Sequence, residues 1–130
     1  MAELLDTSVL IDLNEESVAN ALGSELAVSA ISIAELTTGV HIAKNPVDRA
    51  RRLFRLQQVE ATFNPIAFDG ACAHAFGELT AVVLSQGRTH RRRFADLQIA
   101  ATARSRGLVL VTRNAKDFKG LEDLITIKAV

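Results

Sequence analysis

The sequence predicts an α/β fold with a mainly parallel sheet, and three observations carry that prediction. Short apolar runs alternate with longer stretches of helical period along the whole 130 residues. The runs are brief and continuous rather than polar at every second position, as in strands covered on both faces. Turn chemistry falls at the boundaries, with Pro46 at a helix start and Gly107 placed as a C-cap glycine just before a strand.

Five short strands are expected, at Glu3–Leu5, Leu26–Ser29, Pro65–Phe68, Leu108–Thr112 and Ile125–Lys128. The first is followed by a helical pattern from about Ser8 to Leu22. Two more, Ile33–Lys44 and Val47–Val59, separate the second strand from the third. Gly70–Leu84 and Phe94–Arg106 lie between the third and the fourth, and a short turn near Asn114–Phe118 precedes the fifth. There is no internal repeat, low-complexity tract or linker, and the length is that of one domain spanning residues 1–130.

Composition bounds the function. Apolar residues make up 48% of the chain, enough to fill a core, but no apolar run approaches the ~20 residues of a membrane span. No basic stretch followed by an apolar core opens the chain, so a secretory leader is not expected. The lone Cys72 excludes an internal disulfide and fits a reducing, cytoplasmic compartment. Formal charge is zero, yet residues 1–36 hold seven acids and no Lys or Arg. Residues 85–119 hold nine bases against two acids, a net +7. That asymmetry suggests a polyanionic partner that also meets an acidic pocket.

In right-handed βαβ units the strand C-termini and helix N-termini share one sheet edge, where open α/β proteins place their ligands. Asp6 ends the first strand, Glu35 is expected in the first turn of the helix after the second, and Asp117 lies beyond the fourth. Asp96 begins the helix that runs back to the fourth strand. The topology therefore gathers four carboxylates at one rim. Each has a purely structural alternative. Asp6, Thr7 or Ser8 suits a helix N-cap. Ser32 to Glu35 spells a capping box, although Gly39 one turn on leaves space beside Glu35. Asp96 suits a helix dipole, but it shares a face with Ala100 and Ala103 and so leans inward. Asp117 and Asn114 suit local capping, and Thr112 and Ser8 suit ordinary strand-end roles. His41, His74 and His90 are scattered and form no zinc-spaced cluster. The run RTHRRR at 88–93 stands immediately before Asp96, and Arg49, Arg51, Arg52 and Arg55 form a second basic stretch.

The motifs DTSVLID, SAISIAEL, ADLQIAATA and VTRNAKDF, in that order and over nearly this length, resemble the PIN domain. More narrowly, they resemble the VapC toxins of VapBC toxin–antitoxin pairs. The resemblance implies a three-layer α/β/α sandwich around a five-stranded parallel sheet. It implies a magnesium-dependent endoribonuclease, with manganese as a substitute. Asp6, Glu35, Asp96 and Asp117 match the family's acidic quartet, and Ser8 and Thr112 match polar positions that support the site. Asn114 competes with Asp117 for the fourth position. The resemblance also implies a homodimer and a cognate VapB-type antitoxin that pushes a basic side chain into the acidic pocket. The helices at Ile33–Lys44 and Val47–Val59 are the expected walls of its groove.

The chemistry agrees with that quartet. Crowded carboxylates repel one another until a cation neutralises them, and a hard, oxygen-seeking ion such as Mg²⁺ fits such donors. Asp6 and Asp96 are the expected metal ligands, with Glu35 completing the site or holding the attacking water, and Asp117 orienting waters from outside or binding a second ion. Arg91, Arg92, Arg93 and Arg113 are the expected phosphate contacts. A haloacid dehalogenase phosphatase would want an Asp where Ser8 stands, and a receiver domain would want paired acids near the first strand. A catalytically silent RNA- or protein-binding module is the remaining alternative.

Overall fold

The computed structural model describes residues 1–89 and 93–130. The elements are β1 (Glu3–Leu5), α1 (Thr7–Ile11), α2 (Glu16–Ala21), β2 (Leu26–Ala27), α3 (Ala30–His41), α4 (Pro46–Thr62) and α5 (Gly70–Ser85). They continue through α6 (Phe94–Arg106), β3 (Val109–Thr112), a 3-10 turn (Ala115–Phe118) and β4 (Ile127–Ala129). The strands form one parallel sheet in the order β2-β1-β3-β4.

Alternation along the strands builds three layers. Leu4 and Leu110 pair in register and face the cluster containing Leu79, Leu97 and Ala100, on α5 and α6. Their neighbours Leu5 and Val111 also pair, and face Val9, Leu10, Leu36 and Val59 on α1, α3 and α4. Both faces of the sheet are thus covered, which is why its strands read as unbroken apolar runs. Helix α6 is central: Leu97, Ile99, Ala100, Ala101, Thr102 and Ala103 are all buried, so it is apolar almost all round rather than amphipathic.

Three expectations are corrected. Among the described residues the sheet has four strands, not five. Pro65–Phe68 contributes only a parallel bridge between Ile66 and Ser29, because Pro65 has no N–H to give and the chain turns at once into α5 at Asp69. The first helix is two helices. Asp12 and Glu15 end and restart it, and the Arg113 guanidinium, 2.8 and 2.7 Å from their carboxylates, pins the bend. Helix α3 starts three residues earlier than its pattern suggested, capped by Ser29, whose hydroxyl accepts from the Ser32 N–H at 3.2 Å.

Smaller shifts occur elsewhere: β2 stops at Ala27 rather than Ser29, β4 runs Ile127–Ala129 rather than Ile125–Lys128, and α4 continues to Thr62. The signals at Pro46 and Gly107 agree with the sequence. Asn45 caps α4, and Pro46 takes the first helical position. Gly107 closes α6 at φ 64, the left-handed region. Cys72 is buried. Among the described residues no helix is long and apolar enough to cross a membrane. Nothing lies within 4 Å of a Cβ built at Gly107, so Gly107→Ala meets backbone strain alone. Chemical denaturation is expected to show a loss of about 1 kcal/mol, with Gly107→Asn losing less.

Candidate active site

Asp6 follows β1 at the C-terminal edge of the sheet and is 4% exposed. Its carbonyl starts α1 by accepting from Val9 and Leu10, but its carboxylate makes no capping bond. The side chain turns toward β3 instead. The Thr112 hydroxyl donates to Asp6 Oδ2 at 2.8 Å, and the Ser8 hydroxyl donates to the same oxygen at 2.7 Å. Each hydroxyl in turn accepts a backbone N–H from the loop beyond β3: Arg113 to Ser8 at 3.1 Å, and Asn114 to Thr112 at 3.0 Å. Two chain segments about a hundred residues apart are joined through one buried carboxylate oxygen. Neither hydroxyl takes Oδ1.

Glu35 stands in the second turn of α3, not the first, and takes no part in a capping box. Its Oε1 lies 2.6 Å from the Thr7 hydroxyl, which is also 2.9 Å from the buried Ser32 hydroxyl. A carboxylate only accepts and a hydroxyl carries one proton, so Thr7 donates to Glu35 and receives from Ser32. The chain Ser32–Thr7–Glu35 aims the carboxylate. Sequence reasoning missed Thr7 and gave Ser32 to the helix cap. The available signal was the position of Thr7 beside Asp6 at the first turn of α1, where only tertiary contact decides its partner. The space beside Gly39 is used by Arg52, which donates to the Gly39 carbonyl at 2.7 Å.

Asp96 is half-buried in the first turn of α6. Its carboxyl is pushed up from the ordinary range to about 6, first by burial and then by the charges of Asp6, Asp117 and Glu35, with Arg93 opposing. The rise prevails over the helix N-terminus, which favours the charged form. The four acids named from the sequence therefore act on one another electrostatically, although they come from four separate elements. Asp117 sits in the 3-10 turn, its Oδ1 3.8 Å from the Arg93 guanidinium. Asn114 precedes that turn; its carbonyl accepts from Asp117 N–H, but its side chain makes no capping bond.

The donor set is all oxygen and mutually repelling, which fits a hard divalent cation and not a thiolate- or imidazole-seeking one. Among the described residues no three His, Cys, Asp or Glu side chains are already gathered tightly enough to hold an ion. Closing the cluster on a cation thus requires side-chain movement, in the direction that would relieve Asp96. Of the arginines named from the sequence, Arg93 donates to the Lys116 and Asp117 carbonyls. Arg113 is committed to Asp12 and Glu15. Arg91 and Arg92 lie outside the described residues, as does His90.

Comparison with known proteins gives a consistent result. The PIN domain family model matches residues 4–124. Ribonuclease VapC5 of Mycobacterium tuberculosis is 31% identical over 131 aligned positions, covering 99% of this chain and 94% of the relative. The tRNA(fMet)-specific endonuclease VapC of Shigella flexneri is 28% identical, covering 95% and 94%. Among solved structures, VapBC-5 of M. tuberculosis superposes with a TM-score of 0.83 at 32% identity, covering 99% of this chain and 97% of that one. VapBC2 of Rickettsia felis, bound to a promoter DNA fragment, superposes with a TM-score of 0.84 at 27% identity, covering 100% and 99%.

Thr112 is fully buried and serves as both donor and acceptor. Thr112→Ala is expected to destabilise the fold by about 1–3 kcal/mol in urea melts, and Thr112→Ser to recover most of the loss. Asp96 tests the crowding. A carboxyl whose pKa is raised on folding destabilises the fold once it ionises. In ion-free buffer, stability is expected to fall as pH rises from about 4, the unfolded value, and to level off above about 6. Asp96→Asn removes that slope. At pH 7.5 the variant is expected to be more stable than the parent by about 1–2 kcal/mol, a figure discounted for the screening of a half-buried group.

Proposed function

The chain belongs to the PIN domain family, and on that premise we propose that it is a metal-dependent endoribonuclease, the toxin of a toxin–antitoxin pair acting in the cytoplasm. The observation that carries the reading is the half-buried Asp96 carboxyl held among three other carboxylates. A fold does not crowd like charges at a sheet edge for stability, since the crowding is unfavourable until a cation arrives. We assign Asp6 and Asp96 to hold Mg²⁺, with Mn²⁺ as a substitute. When bound, such an ion would neutralise these carboxylates and would lower the pKa of a water so that it could lose a proton near neutral pH.

The chain's own groups supply the remainder. Ser8 and Thr112 fix the Asp6 carboxylate before any ligand arrives, so the movement needed to close the cluster falls to the other acids. Glu35, its Oε1 engaged by Thr7, offers Oε2 to the hydrogen of the attacking water. Asp117 and Asn114 steady the outer side of the cluster. Arg93, with Arg91 and Arg92 before it, binds the substrate phosphate and offsets the negative field. Arg113 reaches phosphate only by releasing Asp12 and Glu15. Water attacks in line, the P–O bond to the 3′ oxygen breaks, and the products carry 5′-phosphate and 3′-hydroxyl ends.

The relatives named ribonuclease VapC and the solved VapBC complexes support a cognate VapB-type antitoxin as partner. Its seat is an apolar cleft of about 230 Å³ between α1 and α4, lined by Leu10, Ile11, Leu13, Val59 and Phe63. Ile11 and Arg55 also line a neighbouring cleft with Thr7, Glu35 and Arg52, so the seat leads toward the acidic site. A basic antitoxin side chain arriving there replaces the cation. The active toxin is a homodimer.

One observation favours a second reading, a catalytically silent RNA- or protein-binding module: no three carboxylates among the described residues are preassembled for an ion. Calorimetric titration with Mg²⁺ separates the two, since a silent module gives no saturable heat. For the enzyme, incubation of total RNA with Mg²⁺ is expected to give fragments that ligate through 5′-phosphates, and EDTA is expected to stop the cutting. Asp6→Asn and Asp96→Asn are expected to abolish cutting while circular dichroism stays unchanged. Cyclic phosphate ends, or cutting indifferent to EDTA, overturn the mechanism.

A further inference from the structure

Beyond the acidic cluster lies an open groove of about 850 Å³, lined by Gln86, Arg88, Arg93, Lys116, Asp117, Lys119, Gly120 and Glu122. Arg52, Arg104, Arg106 and Arg113 each face a carboxylate that offsets their charge. Arg88 is instead tethered to the carbonyl of Lys119, while Arg93 donates to the carbonyls of Lys116 and Asp117 and also lies 3.8 Å from the Asp117 carboxylate. A neutral carbonyl fixes a guanidinium in place without neutralising it. Lys116 and Lys119 are exposed, and among the described residues neither forms an ion pair.

Two acids share the groove with the four cations, which leaves it net positive. Glu122 accepts from the Gly120 N–H at 2.8 Å and keeps its charge. Asp117 lies beside Arg93 and is one of the three acids that act on Asp96, so the groove adjoins the candidate active site. Gly120 has φ +95, and a Cβ there would lie 2.1 Å from Gln86 Oε1, whose amide crosses to the Gly120 carbonyl at 3.1 Å.

We propose that Arg88, Arg93, Lys116 and Lys119 form a track for the phosphate backbone of the single-stranded RNA flanking the scissile bond. Cations in net excess suit a run of phosphates, which needs positive charge at intervals and no base readout. An acidic peptide is a poorer fit, since its carboxylates would be led straight into the acidic cluster. The proposal rests on the endoribonuclease reading and assigns it the path of the substrate.

The test uses the whole chain and a fluorescein-labelled single-stranded RNA of about 20 nucleotides. Anisotropy in EDTA measures affinity between about 50 and 200 mM salt. Lys116→Gln with Lys119→Gln is expected to flatten the slope of log affinity against log salt by about 1.4, at about 0.7 per lost phosphate contact. Lys44→Gln with Arg51→Gln, which removes equal charge outside the groove, is expected to leave the slope near that of the parent. With Mg²⁺, the groove variant is expected to lose kcat/KM while keeping kcat. An unchanged slope in the groove variant, or an equal loss in both variants, overturns the track and leaves the groove to an acidic partner. A parent that binds RNA through the groove but never cuts it overturns the endoribonuclease reading and leaves the track standing.

Discussion

The structure turns on one buried carboxylate. Asp6 sits where β1 ends, and the hydroxyls of Ser8 and Thr112 both donate to its Oδ2. Through those hydroxyls it also collects the first backbone N–H groups of the loop beyond β3. A carboxylate buried without donors would be strongly unfavourable. Satisfied in this way, it becomes a joint that sets β1 against β3 and starts the loop that carries Asn114 and Asp117. The same joint fixes Asp6 alone among the four acids, because Ser8 and Thr112 stand on α1 and β3.

Around that joint the protein separates its charges. Acids from β1, α3, α6 and the 3-10 turn converge on the sheet edge, and the resulting repulsion is felt most by Asp96. Elsewhere the same molecule neutralises charge by pairing: Arg106 with Asp69, Arg113 with Asp12 and Glu15, Lys128 with Glu3. The Glu3 carboxyl shows the contrast. Burial alone would raise its pKa, yet hydrogen bonds from Lys128 and Gly23 bring it below the ordinary range. The two carboxyls are thus driven in opposite directions, Glu3 by its donors and Asp96 by burial and its acidic neighbours.

The sheet was legible because its strands are buried on both faces and so carry an unbroken apolar signal. The weak points were those where a distant group decides. The bend between α1 and α2 depends on Arg113, about a hundred residues away, and no local pattern announces it. The missing fifth strand follows from Pro65 at the sheet margin, where a single bridge between Ser29 and Ile66 is all the pairing the backbone can offer. The capping-box pattern at Ser32 misled because Ser29, three residues earlier, had the better geometry.

By itself the sequence determined the α/β class, the helix ends at Pro46 and Gly107, and the four acids at one rim, because periodicity, cap chemistry and βα handedness are local or topological rules. It did not determine what each carboxylate touches. That Asp6 faces Thr112 rather than its own helix, that Thr7 and Ser32 aim Glu35, and that a carbonyl holds Arg88 were decided by packing. The physical reason is that a side chain with several partners of similar strength within reach chooses among them by geometry, and that geometry exists only once separate segments have been brought together.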